Sequence, residues 1–259
     1  MKISASGDWH LDATTAGASR LDDFDAWFEK FAEVSTAERV DMIALLGDFF
    51  DPGGMRAHEL TSRLFRYVDT LAGIAPVVVV AGNHDVVETS EAWTTLSPLR
   101  VANETGWHRD RVHIFERPFY APSHVQGVRI LAMPYTARAA RWTEYDAGRS
   151  DFVYACELQD AAIGQAKRSN GVPLVVLSHM TQPGAKLGSE SAEMSRGRDL
   201  DFPADDVATL GPALVLQGHY HLRQVVRRSG LDIVVTGSPS RFTFGEAQDA
   251  RKGFVIAEV

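Results

Sequence analysis

One cysteine, Cys156, stands among 259 residues. A single thiol cannot build a disulfide framework within the chain, which fits a reducing compartment and sets the expectation of a cytoplasmic protein. Cys156 lies in Phe152-Val153-Tyr154-Ala155-Cys156 with no histidine nearby in sequence, so a buried, inert thiol is expected. No apolar run approaches the roughly 18–20 residues needed to cross a bilayer, and no membrane span is expected. The opening residues Met1 to Asp8 lack a long apolar stretch and a small-residue cleavage site, so no signal peptide is expected. Basic excess is also missing. Lys and Arg number 26 against 34 Asp and Glu, a formal net charge of −8. The broad basic footprint of many nucleic-acid binders is therefore absent from the chain as a whole, although acidic metal ligands would inflate the negative count and bound cations offset part of it. Neither internal repeats nor linker-like composition are found, and residues 1–259 are expected to form one domain.

What the chain does have is apolar residues, 45% of the total, in a pattern of alternating strands and helices. Ile3–Ala5 reads as a short strand. Phe24, Trp27, Phe28, Phe31 and Val34 recur at three- and four-residue spacing and predict a helix with one apolar face. Asp22 and Asp23 near its start suit the positive end of the helix dipole. Asp41–Leu46 reads as a buried strand, and Leu60, Leu64, Tyr67, Val68 and Leu71 predict a second amphipathic helix. Pro76–Ala81, Val112–Phe115, Val128–Met133, Leu174–Leu177, Ala213–Leu216, Asp232–Thr236 and Gly253–Val259 are further strands. Asp151–Ser169 is a predicted helix, and 136–150 and 184–197 are predicted loops. The fold class is α/β, with sheets covered by helices.

Five polar signatures follow these apolar runs: Asp8-Trp9-His10, Gly47-Asp48-Phe49-Phe50-Asp51, Gly82-Asn83-His84-Asp85, Ser178-His179 and Gly218-His219-Tyr220-His221. Each sits at the carboxyl end of a predicted strand, where α/β folds bind ligands. Asp, Asn and His are the oxygen and nitrogen donors of a divalent-metal pair, which can clamp an in-line attack on phosphorus across roughly 3.5–4 Å. Asp48, just past a buried strand and beside Gly47, is the expected bridging carboxylate. Asp8 and His10 alternate along what reads as an extended segment, and are assigned to the first metal. Asn83 and His179 are assigned to the second, and His219 and His221 to one metal each. The set contains no thiolate, which argues against a structural zinc site and favours manganese, iron or magnesium. His84 follows a proposed ligand, so it is expected to project elsewhere and act as a general acid on the leaving oxygen.

Blander roles compete at several positions. Asp51 orients His84 or is only a turn residue before Pro52-Gly53-Gly54. Asp85 orients His84 or caps the next helix. Gly82 and Gly218 permit tight turns, and Trp9 shapes a cleft or packs in the core. His58, His108, His113 and His124 lie outside the signatures and are given no role. Arg138, Arg141, Arg196, Arg198, Arg227 and Arg228 either contact phosphates or are solvated surface charge.

With those residues in place, the chain resembles the calcineurin-like metallophosphoesterase superfamily. That resemblance implies two mixed β-sheets packed as a sandwich and flanked by helices, in four layers. Gly7-Asp8-Trp9-His10-Leu11 and Gly47-Asp48-Phe49-Phe50-Asp51 are more narrowly similar to the opening motifs of bacterial SbcD-type repair nucleases. Thr236-Gly237-Ser238-Pro239, Phe244-Gly245-Glu246 and Lys252-Gly253-Phe254 are similar to the end of that nuclease core. The narrower resemblance implies a manganese-dependent exonuclease and endonuclease acting on DNA, and an SbcC-like ATPase partner. Family members commonly dimerise and continue into a DNA-capping region and partner-binding helices, so the sequence to Val259 is expected to hold the nuclease core alone. The alternative is a metallophosphoesterase acting on a small nucleotide or cyclic nucleotide, which the acidic charge favours. A serine/threonine phosphatase is disfavoured because Ala81 stands where those enzymes place an arginine. A non-catalytic scaffold is disfavoured by the full donor set.

Overall fold

The fold comes from a computed structural model, which describes residues 1–50, 56–86, 94–135, 151–168, 171–187, 200–243, 246 and 252–259. The side chains of 121–124, 151–156 and 158, Cys156 among them, are outside that description, as are Asp51, Arg138, Arg141, Arg196, Arg198 and most of both predicted loops.

Two sheets carry the structure. The first has the order β13-β1-β4-β5-β6, formed by Val255–Glu258, Lys2–Ser6, Met42–Leu46, Val77–Val80 and Val112–Phe115. Strands β1, β4, β5 and β6 run parallel and β13 antiparallel, with Ala5 opposite Ala44 and Leu45 opposite Val79. The second has the order β11-β12-β10-β9-β8-β7, formed by Gln224–Arg228, Leu231–Val235, Leu214–Gln217, Leu174–Ser178, Val128–Met133 and Phe119–Val125. Its four central strands are parallel and its two edges antiparallel.

Side-chain alternation along each strand builds the layers. In β4, Met42, Ala44 and Leu46 face the second sheet and meet Ile130, Ala132, Val175, Leu177 and Leu216. Ile43 and Leu45 face outward, onto helices α1 (Leu21–Ala37) and α2 (Ala57–Ile74). In the second sheet, Leu131, Val176 and Val215 face away from the first, onto α4 (Asp151–Lys167) and α5 (Ala204–Ala208). Burial on both faces explains why β4 and β5 are uniformly apolar instead of alternating. The four-layer sandwich expected from the resemblance is therefore present.

Helix α1 buries Phe24, Phe28 and Phe31, and α2 buries Leu60, Leu64, Tyr67, Val68 and Leu71, the faces set by their spacing. Trp9 is fully buried against Phe24, Phe28, Phe49 and Tyr67, which resolves its role as core packing. Sequence reading missed β7, β11, helix α3 (Ser97–Glu104), α5 and the two-residue pair β2–β3 (Thr14–Thr15, Ala18–Ser19). Strand β7 contains Pro122 and a register shift, tolerated because it is an edge. Strand β11 is an edge with mostly exposed side chains, so it carries no buried run.

Candidate metal centre

All five signatures follow the strands that were expected to carry them, β1, β4, β5, β9 and β10. The parallel strands deliver them to one end of the sandwich, where three groups of possible ligand atoms form. Asp8, His10 and His221 make one; His10, Asp48 and His84 a second; Asp48, His179 and His219 a third. Asp48 is common to two of them, its Oδ2 lying 3.2 Å from His179 Nε2 and 3.9 Å from His10 Nε2. Asn83 joins the third through Oδ1, 2.8 Å from His219 Nδ1 and 3.2 Å from His179 Nε2. His84 does not project away as expected. Its amide donates to Asp48 Oδ1 at 2.8 Å, and its ring lies 4.8 Å from the His10 ring on the solvent side of the cluster. His58, His108 and His113 belong to none of these groups among the described residues, and His108 instead meets Asp69 Oδ1 at 2.8 Å, while the His124 side chain lies outside the description. Arg227 pairs with Asp232 at an exposed strand edge, as solvated charge.

The backbone reaches this arrangement by a route the sequence did not disclose. Asp8 and His10 do not share a side because the chain is extended there. Both adopt left-handed φ, 54° and 42°, and Asp48 and His219 do so too, at 57° and 76°. Non-glycine residues in this region are uncommon, and concentrate where surrounding structure holds a functional site in shape. What holds it here is a set of crossing hydrogen bonds. The amides of Asp8, His10 and Leu11 donate to the carbonyls of Gly47, Asp48 and Phe49 at 2.9, 3.0 and 2.8 Å, so the first loop is laid along the second.

Asp85 is the residue that sequence reasoning most undervalued. Among the described residues its side chain caps not helix α3 but the short 3₁₀ turn Asn83–Asp85 in which it lies. Its fully buried carboxylate accepts from the amides of Asp48 (2.8 Å), Phe49 (3.0 Å) and Gly82 (2.7 Å) and from the Thr95 hydroxyl (2.7 Å). One side chain thus ties the second signature to the third. Gly82 opens the tight turn Asn83–Asp85, but with an ordinary φ of −101°, so the turn itself does not demand glycine. A Cβ there would lie 2.2 Å from Asp48 Oδ1 and 2.4 Å from Asp48 N, so only hydrogen fits. The sole hint in sequence was adjacency to the other signatures.

Comparison with known proteins bears on what this centre is for. A model of the calcineurin-like phosphoesterase family matches residues 1–223. The chain belongs to that family. Over 276 residues it is 26% identical to the SbcD subunit of the SbcCD nuclease of Bacillus subtilis, covering 99% of this chain and 66% of that relative. It therefore spans about two thirds of the relative's length. Among solved structures it is similar to TT1561 of Thermus thermophilus, with a TM-score of 0.57 at 18% identity, covering 99% of this chain and 98% of that one. A dimetal phosphatase from Danio rerio gives a TM-score of 0.57 at 13% identity, covering 100% and 92%. At these identities the two structures speak for the fold.

Calcineurin-like phosphoesterases use divalent metals, and the donors here fit such ions on grounds independent of the match. Asp8 Oδ2 is buried with no hydrogen-bond partner among the described residues, an unmet acceptor that a cation would satisfy. His179 Nδ1 faces the Leu46 carbonyl at 2.5 Å, so that nitrogen carries hydrogen and directs Nε2 toward Asp48. The charges in this chain are correspondingly perturbed. Burial lifts the Asp8 carboxyl to about 6. Burial alone would lower the His179 imidazolium, but the charge and hydrogen bond of Asp48 carry it to about 9. Burial, reinforced by the His179 charge, drops His219 to about 3. The Asp48 charge thus favours a proton on His179, which a cation held there would have to displace. Among the described residues, no helix is long and apolar enough to cross a membrane.

Proposed function

We propose that this chain is a two-metal phosphodiesterase that hydrolyses DNA, an SbcD-like exonuclease and endonuclease core. The observation that supports the hydrolytic reading is the place of Asp48 in two groups of possible ligand atoms, one with His10 and His84 and one with His179 and His219, while His10 also belongs to the Asp8–His221 group. In this reading Asp8, His10 and His221 would hold one ion, Asn83, His179 and His219 would hold the other, and Asp48 would serve both. The oxygen and nitrogen donor set suits manganese, with iron or magnesium as alternatives. Bound divalent ions would neutralise phosphoryl charge and make hydroxide available at neutral pH. His84 then gives a proton to the departing oxygen. Its partial burial supports this reading, since a leaving group needs access to the ring. Asp51, outside the described residues, is the proposed orienting partner for His84.

DNA as substrate is supported by the likeness to the SbcD subunit of the SbcCD nuclease across nearly the whole chain. The same likeness suggests an SbcC-like ATPase as partner. The net charge of −8 is the observation that favours a small nucleotide or cyclic nucleotide instead. Incubation with manganese and end-labelled linear duplex DNA, beside a cyclic nucleotide and a generic phosphodiester, separates the two. We expect DNA cleavage that disappears with chelator. Brisk cyclic-nucleotide turnover without DNA cleavage would sink the nuclease reading.

A further inference from the structure

Two charged residues beyond residue 223, where the family match ends, converge on one of the proposed ligands. Glu246 and Lys252 form a buried ion pair, 2.6 Å between Oε2 and Nζ, with side chains only 3% and 8% exposed. Lys252 Nζ also donates to the His221 carbonyl at 3.0 Å and to Ser238 Oγ at 2.8 Å. The other carboxylate oxygen, Glu246 Oε1, lies 3.4 Å from His221 Nδ1. The amide of Ser238 reaches the same His221 carbonyl at 3.2 Å. The far nitrogen of that ring, Nε2, lies 3.1 Å from His10 Nε2, inside the Asp8–His10–His221 group.

We infer that the Glu246–Lys252 pair is a positioning device for His221, holding its ring so that Nε2 presents its lone pair to a metal. A histidine ligates through a deprotonated nitrogen, and an acceptor on its other nitrogen fixes both tautomer and ring plane. Glu246 divides its two oxygens between these tasks. One faces the ring, and the other is anchored by Lys252, which returns to the backbone of the same histidine. Ring and main chain of His221 are thus held from one ion pair. A purely structural staple would need only the pair; it would not need both of its members to meet His221. The inference rests on the two-metal reading above.

The test measures manganese uptake by calorimetry and by metal content after dialysis, alongside thermal unfolding, with the whole chain. The wild type is expected to take up two equivalents. Glu246→Gln places an amide NH₂ or a neutral oxygen where Lys252 needs a carboxylate. It is expected to keep one equivalent at wild-type affinity and weaken the other about 10–100-fold. Should the uncompensated Lys252 charge unfold that variant, the double change Glu246→Leu with Lys252→Met replaces the pair by apolar side chains, a swap buried ion pairs often tolerate. It is expected to stay folded and show the same selective loss. As a control, Glu116→Gln breaks the remote Arg100–Glu116 pair, 2.5 Å apart, and should lower the melting temperature without touching either equivalent. A folded double variant that binds both equivalents like the wild type overturns the positioning role alone. A wild type that takes up no metal overturns the metal centre, and the positioning role with it.

Discussion

The two halves of the metal cluster are built differently. The inner half, around His179, His219 and Asn83, is held by main chain: the Leu46 carbonyl fixes His179 at 2.5 Å. Gly47 and Gly82 press backbone against that ring, leaving no room for a Cβ at either. The His179 side chain is completely buried. The outer half, around His10, His84 and His221, adds side-chain packing around its rings to the main-chain bonds beneath them. The His10 and His221 side chains are 14% and 13% exposed. Phe242 packs against both rings, with centroids 5.2 and 5.4 Å away, and Glu246 stands behind His221. The His179 ring is therefore set by the strand ends beneath it, while the outer half also leans on the segment after β12 and is partly exposed. A substrate approaching from solvent meets the outer half first.

The largest effect should come from the residue both halves share. Asp48→Ala is expected to abolish uptake of both ions and lower turnover by roughly three orders of magnitude or more, since the metals supply most of the charge stabilisation. Metal content and turnover measured on the same preparation check this. A fully metallated, active variant would refute the bridging role and the division into halves built on it.

His84→Asn separates chemistry from binding within the outer half. Loss of a general acid lowers turnover by about 10²–10⁴-fold. Both metal equivalents should remain, because in this reading His84 is assigned to neither ion, and His10 and Asp48 beside it keep their side chains. If turnover falls only together with one ion, His84 is a ligand instead of the acid. Unchanged turnover removes it from the mechanism.

Asp85→Ala probes how the frame supports the inner half. It strands the buried amides of Asp48, Phe49 and Gly82 without their acceptor. Losses of about 1–3 kcal/mol for each unsatisfied buried donor put the expected total near 3 kcal/mol or more. The melting temperature should fall by several degrees, and the inner equivalent should weaken more than the outer. Equal weakening of both would mean that the two halves are not independently supported.

Much of this was legible in the sequence, and the reasons why the rest was not are specific. Strand positions followed from uninterrupted apolar runs such as Met42–Leu46, because burial on both faces leaves no polar alternation to misread. Six of the seven proposed donors fall in the potential ligand groups, and the seventh, Asn83, contacts the third group, since strand ends in a parallel sheet converge whatever the loops do. The loops themselves were misread. Alternation of Asp8 and His10 suggested extended backbone, whereas φ is set there by hydrogen bonds to Gly47, Asp48 and Phe49, which lie far away in sequence. Asp85 looked like a cap because its partners are main-chain amides, and a sequence displays no main chain. Glu246 and Lys252 were visible only as family likeness, because their meaning lies in what they touch.

Proton linkage offers the finest discrimination between the halves. In the metal-free protein the His179 imidazolium persists to about 9, since Asp48's charge outweighs the effect of burial. Asp8, raised by burial, has lost its proton above about 6. A cation entering the inner half at pH 7 must therefore expel a proton from His179, and one entering the outer half need expel none from Asp8. The sign follows directly: raising pH removes the competitor, so affinity increases with pH until the competing group has titrated. Inner affinity should rise about tenfold per pH unit from pH 6 to 8 and level off near 9, as one proton per ion exchanged requires. The Asp8 share of outer affinity should flatten above about pH 7. Calorimetry in buffers of different ionisation enthalpy would count those protons, with about one from His179 for the inner ion and almost none from Asp8 for the outer at pH 8. Identical pH slopes for both ions would show that they share one set of protons, and that the cluster titrates as a single unit instead of two differently built halves.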